Sequence, residues 1–310
     1  MSDRIPIRPH PMLAMLVSEP FHKPGWVYEE KYDGYRILAY KEGAKVTMLS
    51  RNGNDRTATF ASVARAVADL SDRTLLLDGE VVAFDRKGVS RFQLLQRGDV
   101  VNSFAVFDCL YRNGRDLRRE TLSTRRRELE DALGKASKEI FLSKRLADDG
   151  LEAYRIAKRR NLEGLVAKDA ASPYEERRSR FWLKVKVHQE EEFVIAGFTA
   201  PQGSRKHIGA LLLGAYAGDD LHFVGKVGTG FTEERLSDLF RRFKPLVRAT
   251  PPFIDPPRAK QVTWLTPKLV AQIAFAEWTG DWKLRQPVFL GLRDDKNPRE
   301  CVLPKGGAKK

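Results

Sequence analysis

Short runs of β-branched and aromatic residues, closed off by Gly, Asn, Asp and Pro, recur along most of this chain. That rhythm restricts it to folds built largely from sheet, because a period of two residues and a period of 3.6 cannot describe the same element. In the first 190 residues the runs are Trp26–Glu30, Tyr35–Tyr40, Lys45–Leu49, Thr74–Phe84, Phe104–Asp108, Gly164–Lys168 and Phe181–Val187. Helical patterns lie between them. Phe60, Val63, Val67 and Leu70 recur at helical spacing, as do Leu129 and Leu133, with Gly134 where a helix would stop. This alternation predicts a mixed α+β domain. From Glu190 the texture changes: Phe193–Thr199, Ala210–Tyr216 and Leu221–Val227 read as closely spaced strands with Gly-rich and Pro-rich turns, the pattern of a small β-barrel. One helix follows, N-capped by Thr232 and running to Phe243, with Leu236, Leu239, Phe240 and Phe243 turned inward to plug or cap the barrel. A chain of 310 residues exceeds what one core usually holds, and the polar stretch His188–Glu192 divides it into residues 1–189 and 190–310. The Gly- and Lys-rich tail Lys305–Lys310 is expected to fray.

Composition removes several classes. No apolar run approaches the roughly 20 residues of a membrane helix. The run Met12–Val17 follows Pro6, Pro9 and Pro11 without a small-residue cleavage pattern, so no secretory signal is expected and the location is read as intracellular. Cys109 and Cys301 alone supply neither a disulfide framework nor a four-thiolate zinc site, and both are read as reduced thiols. Lys and Arg number 55 against 41 Asp and Glu, a net charge of +14. Such an excess suits a polyanion such as nucleic acid, or simply a solubilising surface, and says nothing about chemistry.

The chemistry is concentrated in a few short elements. Lys31-Tyr32-Asp33-Gly34-Tyr35-Arg36 lies between two strands, after Glu29 and Glu30. A lysine at a strand end is ordinarily a solvated cation. To attack phosphorus its amine must be neutral, so the field of Arg36, Lys184 and Lys186 is expected to lower its pKa. Gly34 would let the backbone turn closely, and Asp33 would hold the loop through backbone hydrogen bonds. Ser50-Arg51-Asn52-Gly53 reads equally well as a hairpin turn. Leu77-Asp78-Gly79-Glu80 sets a carboxylate inside an apolar run, where a β-bulge or a turn is the structural alternative. Phe107 reads as core. Lys184 and Lys186 alternate along one strand and face one side, which suits a phosphate or a charged outward face. Arg293-Asp294-Asp295-Lys296 has the look of a charged loop.

Taken in order, these elements resemble the motifs of the covalent nucleotidyltransferases: DNA ligases, RNA ligases and mRNA capping enzymes. Glu163–Lys168, Trp182–Lys186 and Leu284–Lys296 are most similar to the ligase part of bacterial end-joining enzymes of the LigD type. The resemblance implies an α+β fold, with a nucleotidyltransferase (adenylation) domain of antiparallel sheets and helices followed by an OB-fold barrel. It implies that Lys31 takes AMP from ATP and passes it to a 5′-phosphate, which a 3′-hydroxyl then attacks. By the same likeness Glu29, Arg36, Glu80, Phe107, Lys184, Lys186, Arg293 and Lys296 contact ATP or AMP. Phe107 would stack on adenine, Glu80 would approach the ribose, and Arg293 and Lys296, with Arg285 a weaker candidate, would orient the departing pyrophosphate. Glu80 and Glu163 would hold Mg²⁺ or Mn²⁺. Arg51 would grip the nucleic-acid 5′-phosphate, and Arg178 another phosphate. The implied partner is nicked or broken duplex DNA, with a Ku-like end-binding protein beside it, a monomeric state and a bacterial cytoplasmic, nucleoid-associated location. The length leaves no room for a polymerase or nuclease domain, so a minimal ligase is expected. An RNA ligase, a GTP-using capping enzyme and a non-catalytic DNA-binding module stay open as alternatives.

Overall fold

The computed structural model describes residues 5–6, 9–95, 100–134, 137–187, 189–201, 207–259 and 261–304; the tail expected to fray and His188 lie outside them. The chain divides into two compact units, Met1–His188 and Gln189–Lys310.

The first unit is layered. Its elements are β1 (Leu13–Val17), β2 (Trp26–Lys31), β3 (Tyr35–Glu42), β4 (Lys45–Ser50), α1 (Ala61–Ala68), β5 (Thr74–Val82), α2 (Phe92–Leu95), β6 (Ser103–Arg112) and β7 (Arg115–Asp116). They continue as α3 (Leu122–Leu133), β8 (Ile140–Leu142), β9 (Arg145–Ala147), α4 (Gly150–Arg159), β10 (Gly164–Asp169) and β11 (Arg178–Lys186). One sheet has the order β4-β3-β5-β6-β7, with β8 parallel to β6; the other has the order β1-β11-β10-β2-β9, antiparallel except where β1 joins β11. Phe60, Val63, Val67, Leu129 and Leu133 cover one face of the first sheet through Ile37, Leu75, Leu77 and Val106. Ala153 of α4 packs on Tyr28, Leu165, Ala167 and Val185 of the second. The two inner faces meet through Leu38, Leu76, Phe107, Leu110 and Tyr111 on one side and Met12, Tyr174 and Trp182 on the other. A helix–sheet–sheet–helix stack of this kind leaves the inner faces as the place where unlike side chains converge.

Two departures from regular ladder position that interior. β5 pairs Asp78 with Asp108 but Gly79 with Val106, so Phe107 is an extra residue in β6, a bulge that turns its ring toward the second sheet. Gly79 stands at the same step, where a Cβ would lie 2.5 Å from the Phe104 ring and 2.6 Å from Ala105 O. The carboxylates of Leu77–Glu80 are thus carried by β5 directly opposite the bulge in β6. At Gly34 the requirement is space rather than a turn beside a ligand: a Cβ would fall on Val81 O of β5.

The second unit contains β12 (Glu190–Thr199), β13 (Leu211–Ala217), β14 (Asp220–Val227), α5 (Glu233–Phe243), β15 (Val247–Arg248), β16 (Val262–Ala274), β17 (Glu277–Trp278), β18 (Leu284–Arg285) and β19 (Val288–Leu292). Its main sheet has the order β14-β13-β12-β16-β15, with β19 also on β16, all antiparallel. Thr232 caps α5 by accepting from the Arg235 amide at 3.3 Å. Leu236, Leu239 and Phe243 enter the same core as Phe193, Ile195, Leu213 and Ile273, with Phe240 packed at its margin. Cys109 and Cys301 are buried and unbridged, and burial pushes the Cys301 thiol up to about 12. Among the described residues no helix is long and apolar enough to cross a membrane.

Because Gly34 abuts β5 backbone rather than a flexible side chain, Gly34→Ala is expected to lower stability by about 1–3 kcal/mol through overpacking. A urea unfolding midpoint equal to wild type would contradict the close approach.

Candidate functional site

The period of two along β2 sends Val27, Glu29 and Lys31 to one face, and the ladder extends that face across the sheet. Lys31 is paired with Gly164 and Gly164 with Lys186; Glu29 with Val166 and Val166 with Lys184; Val27 with Lys168 and Lys168 with Trp182. Residues directly opposite one another in such a ladder project to the same side. Trp182 belongs to the core between the two sheets, so Lys31, Lys184 and Lys186 all belong to that inner face. Gly164 stands between Lys31 and Lys186 because β11 runs too close for a side chain there: a Cβ would meet Val185 O.

Lys31 is mostly buried, and its amine is in direct ion-pair contact with Glu163, at the turn into β10. Here the electrostatic expectation is reversed. Burial pulls the Lys31 pKa down, but Glu163, through charge and hydrogen bond, together with Asp33 and Glu80, outweighs it and raises the pKa above the usual lysine value. One of the three cations expected to lower it is engaged elsewhere: Arg36 donates through Nε and Nη2 to the two Asp78 oxygens at 2.5 and 2.7 Å, and to Met12 O at 3.1 Å. Asp33 does hold the loop through backbone, by partners far along the chain. Its Oδ2 accepts from the Phe92 amide at 3.0 Å, and its own amide donates to Ser90 Oγ at 3.0 Å.

Around this pair lies a buried polar network. Tyr174 donates to Asp78 Oδ2 at 2.6 Å and accepts from the Met12 amide at 2.8 Å. Glu29 accepts from Arg126, from Ser143 Oγ at 2.8 Å and from Lys168 Nζ at 2.8 Å. Arg125 donates to both Asp108 oxygens at 2.7 and 2.9 Å, with neither side chain exposed. Phe107 is enclosed by these groups: Arg36 lies 4.5 Å and Lys168 4.4 Å from its ring centroid, and Trp182 meets it edge-on at 5.8 Å. Lys168, Arg125 and Arg126 were not singled out from the sequence. Signals existed. Lys168 follows Gly164 and Val166 at period two, and Arg125 and Arg126 stand on the stripe of α3 that also carries Leu122, Leu129 and Leu133. Burial, opposed by Glu29, pushes the Lys168 amine below the usual lysine value, the reverse of Lys31.

The remaining candidates are placed less closely together. Arg51 sits on the turn after β4, level with the start of β3 because Ile37 pairs with Ser50. That turn is closed by the Gly53 amide donating to Ser50 O at 2.8 Å. Arg178 is not brought to Lys31: it opens β11 opposite Leu13, is exposed and donates to Ala14 O at 2.8 Å, whereas Lys186 ends the same strand. In the second unit Arg293 is buried and donates to both Asp295 oxygens at 2.8 and 2.9 Å, while Lys296 lies 3.4 Å from Glu192. Arg285 is exposed and pairs with Glu277 at 2.6 Å.

For a divalent cation, the donor set is sparse. No group of three or more His, Cys, Asp or Glu stands ready among the described residues. Glu163, however, contacts the Lys31 amine directly, and the charge of Glu80 also acts on that amine. Mg²⁺ fits such a set, since it commonly takes only one or two carboxylates, with phosphate oxygens and water completing its shell.

The family model of the ATP dependent DNA ligase domain matches residues 11–186, and that of the ATP dependent DNA ligase C terminal region matches residues 204–296. The chain belongs to the ATP-dependent DNA ligase family, with a nucleotidyltransferase domain followed by an OB-fold domain. It is 40% identical over 305 residues to the multifunctional non-homologous end joining protein LigD of Pseudomonas aeruginosa, covering 94% of this chain and 36% of that one. To the protein of the same name from Mycolicibacterium smegmatis it is 38% identical over 314 residues, covering 97% of this chain and 41% of that one. The chain therefore spans about two fifths of the length of these relatives. Among solved structures, mycobacterial DNA ligase D complexed with ATP and MES superposes with a TM-score of 0.72 at 35% identity, covering 95% of this chain and 98% of that one.

Since Glu163 outweighs burial at Lys31, Glu163→Gln is expected to lower the Lys31 pKa: the carboxylate charge goes while burial stays. Trace acetylation of Lys31 without nucleotide, followed by mass spectrometry across the alkaline range, should show labelling that begins at lower pH in Glu163→Gln than in wild type. Coincident profiles would mean that the ion pair does not govern the amine.

Proposed function

We propose that this chain seals 5′-phosphate/3′-hydroxyl breaks in duplex DNA with ATP, through a lysyl-AMP at Lys31. The observation that carries the reading is the inner face of the second sheet. There a mostly buried lysine amine at the end of β2 is paired with Glu163, and Lys184 and Lys186 project on the same side from the strand beyond Gly164. In the first step Lys31 Nζ bonds to the α-phosphorus, the bond to the bridging oxygen breaks and pyrophosphate leaves. AMP then passes to a 5′-phosphate, and the 3′-hydroxyl displaces it. Chemistry of this kind depends on positioning and on neutralising phosphate charge more than on a protein nucleophile–base triad.

Each residue has a stated task in this reading. Glu163 keeps the resting amine charged; burial favours the neutral, attacking form once Glu163 turns away. Lys184 and Lys186 face the phosphates, and Arg293 and Lys296 orient the departing pyrophosphate. Arg36, fixed by Asp78, and Phe107, behind it, form a rigid wall for the nucleoside, while Glu29 is held by three donors at the same face. Glu80 and Glu163 would hold Mg²⁺ or Mn²⁺, which when bound offsets charge on the phosphate oxygens. Arg51 and Arg178 are assigned to DNA phosphates, Arg51 nearer the reacting end. The division near Gln189 separates the nucleotidyltransferase domain from the OB-fold domain. The LigD relatives are named for non-homologous end joining, which supports a role in that repair; a Ku-like recruiting partner, a nucleoid location and a monomeric ligase complete the proposal.

Incubation with ATP, a divalent cation and a nicked duplex should give a protein gaining the mass of one AMP and a sealed strand, and Lys31→Ala should abolish both. A wild-type chain that binds the duplex and never gains the adduct would favour a DNA-binding module instead. With a net charge of +14, duplex affinity should fall by about 10³-fold or more from low to moderately raised salt if six or more phosphates are contacted. A flat dependence would contradict that grip.

A further inference from the structure

The two cations assigned to pyrophosphate are held in the free protein by acids of their own unit, and the two acids hold them differently. Asp295 receives Arg293 Nε and Nη2 at 2.8 and 2.9 Å inside the fold. The Arg293 amide is tied to Val270 O at 2.8 Å. That two-pronged contact fixes the guanidinium plane. Glu192, on β12 opposite Gln272 of β16, approaches both cations through one oxygen: its Oε1 lies 3.7 Å from Arg293 Nη1 and 3.4 Å from Lys296 Nζ. Both separations exceed the roughly 2.7–2.9 Å of a charge-assisted hydrogen bond. The Glu192 side chain is also 32% exposed. A carboxylate so placed offsets the charge of both cations.

We propose that Glu192 masks Arg293 and Lys296. A ligand bearing adjacent phosphates, such as ATP or free pyrophosphate, has to draw both cations away from it, so Glu192 sets how tightly those phosphates are held. Asp295 acts in the opposite sense, by keeping Arg293 aimed. The inference rests on the reading of Arg293 and Lys296 as phosphate-orienting residues and adds Glu192 as the group that tunes them.

The test uses the full chain as wild type, Glu192→Gln, Glu192→Ala, Asp295→Asn and an Arg293→Ala/Lys296→Ala double variant, each with its melting temperature. Initial rates of AMP-adduct formation are measured against ATP concentration and against added inorganic pyrophosphate. Both Glu192 variants should lower half-saturating ATP and half-inhibiting pyrophosphate about fivefold, the scale of a partly exposed ion pair, while the saturating rate stays within about twofold. Asp295→Asn should lower the saturating rate without tightening either ligand. Loss of a merely structural contact would shift melting temperature and leave pyrophosphate inhibition where it was. Unchanged or weakened ATP and pyrophosphate dependence in folded Glu192→Gln and Glu192→Ala overturns the masking. If the double variant itself keeps wild-type dependence on both ligands, the phosphate role of Arg293 and Lys296 fails, and the masking with it.

Discussion

The architecture turns on keeping one amine out of water without leaving it uncompensated. An unpaired ammonium among buried strands would cost several kcal/mol, and Glu163 removes that penalty at Lys31. The contact requires β10 to lie against β2 in the register that pairs Gly164 with Lys31, and β11 to lie against β10 closely enough that Gly164 carries no side chain. The same register sets Lys186 level with Lys31. Strand pairing, glycine placement and charge placement are thus one constraint, met by residues from three separate stretches of the chain.

Further buried charges fix the frame in which the pair sits. Asp78 joins Arg36 to Tyr174, Asp108 joins β6 to α3 through Arg125, and Glu29 gathers Arg126, Ser143 and Lys168. Removing one member of a buried pair typically costs about 3–5 kcal/mol, because the other is left unpaired. Arg125 and Arg126 tie α3 to a strand of each sheet, through Asp108 of β6 and Glu29 of β2, so these pairs specify how the layers meet, which apolar packing alone does loosely. For a transfer reaction governed by position, a frame that specific is useful. It also accounts for Phe107, whose ring is presented by a bulge and backed by cations.

Much of this was legible in the residue order, and the parts that were not share a physical cause. The run Lys31–Arg36, the strand carrying Lys184 and Lys186, and Glu163 could be read because each is local and patterned. The sign of the Lys31 pKa could not: it depends on Glu163, which is distant in sequence, and on Arg36 being taken by Asp78. β16 escaped because Pro267 interrupts it, and a proline argues against a central strand. Here the β12–β16 ladder skips from Leu269 to Trp264, so Pro267 falls in the irregular step between them. α4 escaped because its buried face consists of Gly150, Ala153 and Ala157, side chains too small to register as an apolar stripe. Arg125 and Arg126 were passed over because charged residues on a helix are ordinarily read as solvated.

Lys31 is the amine proposed to take the nucleotide, although burial prevails over the neighbouring carboxylates not there but at Lys168, on the same inner face, where the pKa falls below the usual lysine value. The direct measurement is peptide mapping of the acid-labile AMP adduct after a single charging with ATP. The adduct is predicted on the peptide containing Lys31, with Lys168 unmodified; AMP on Lys168, or on any residue other than Lys31, would contradict the account.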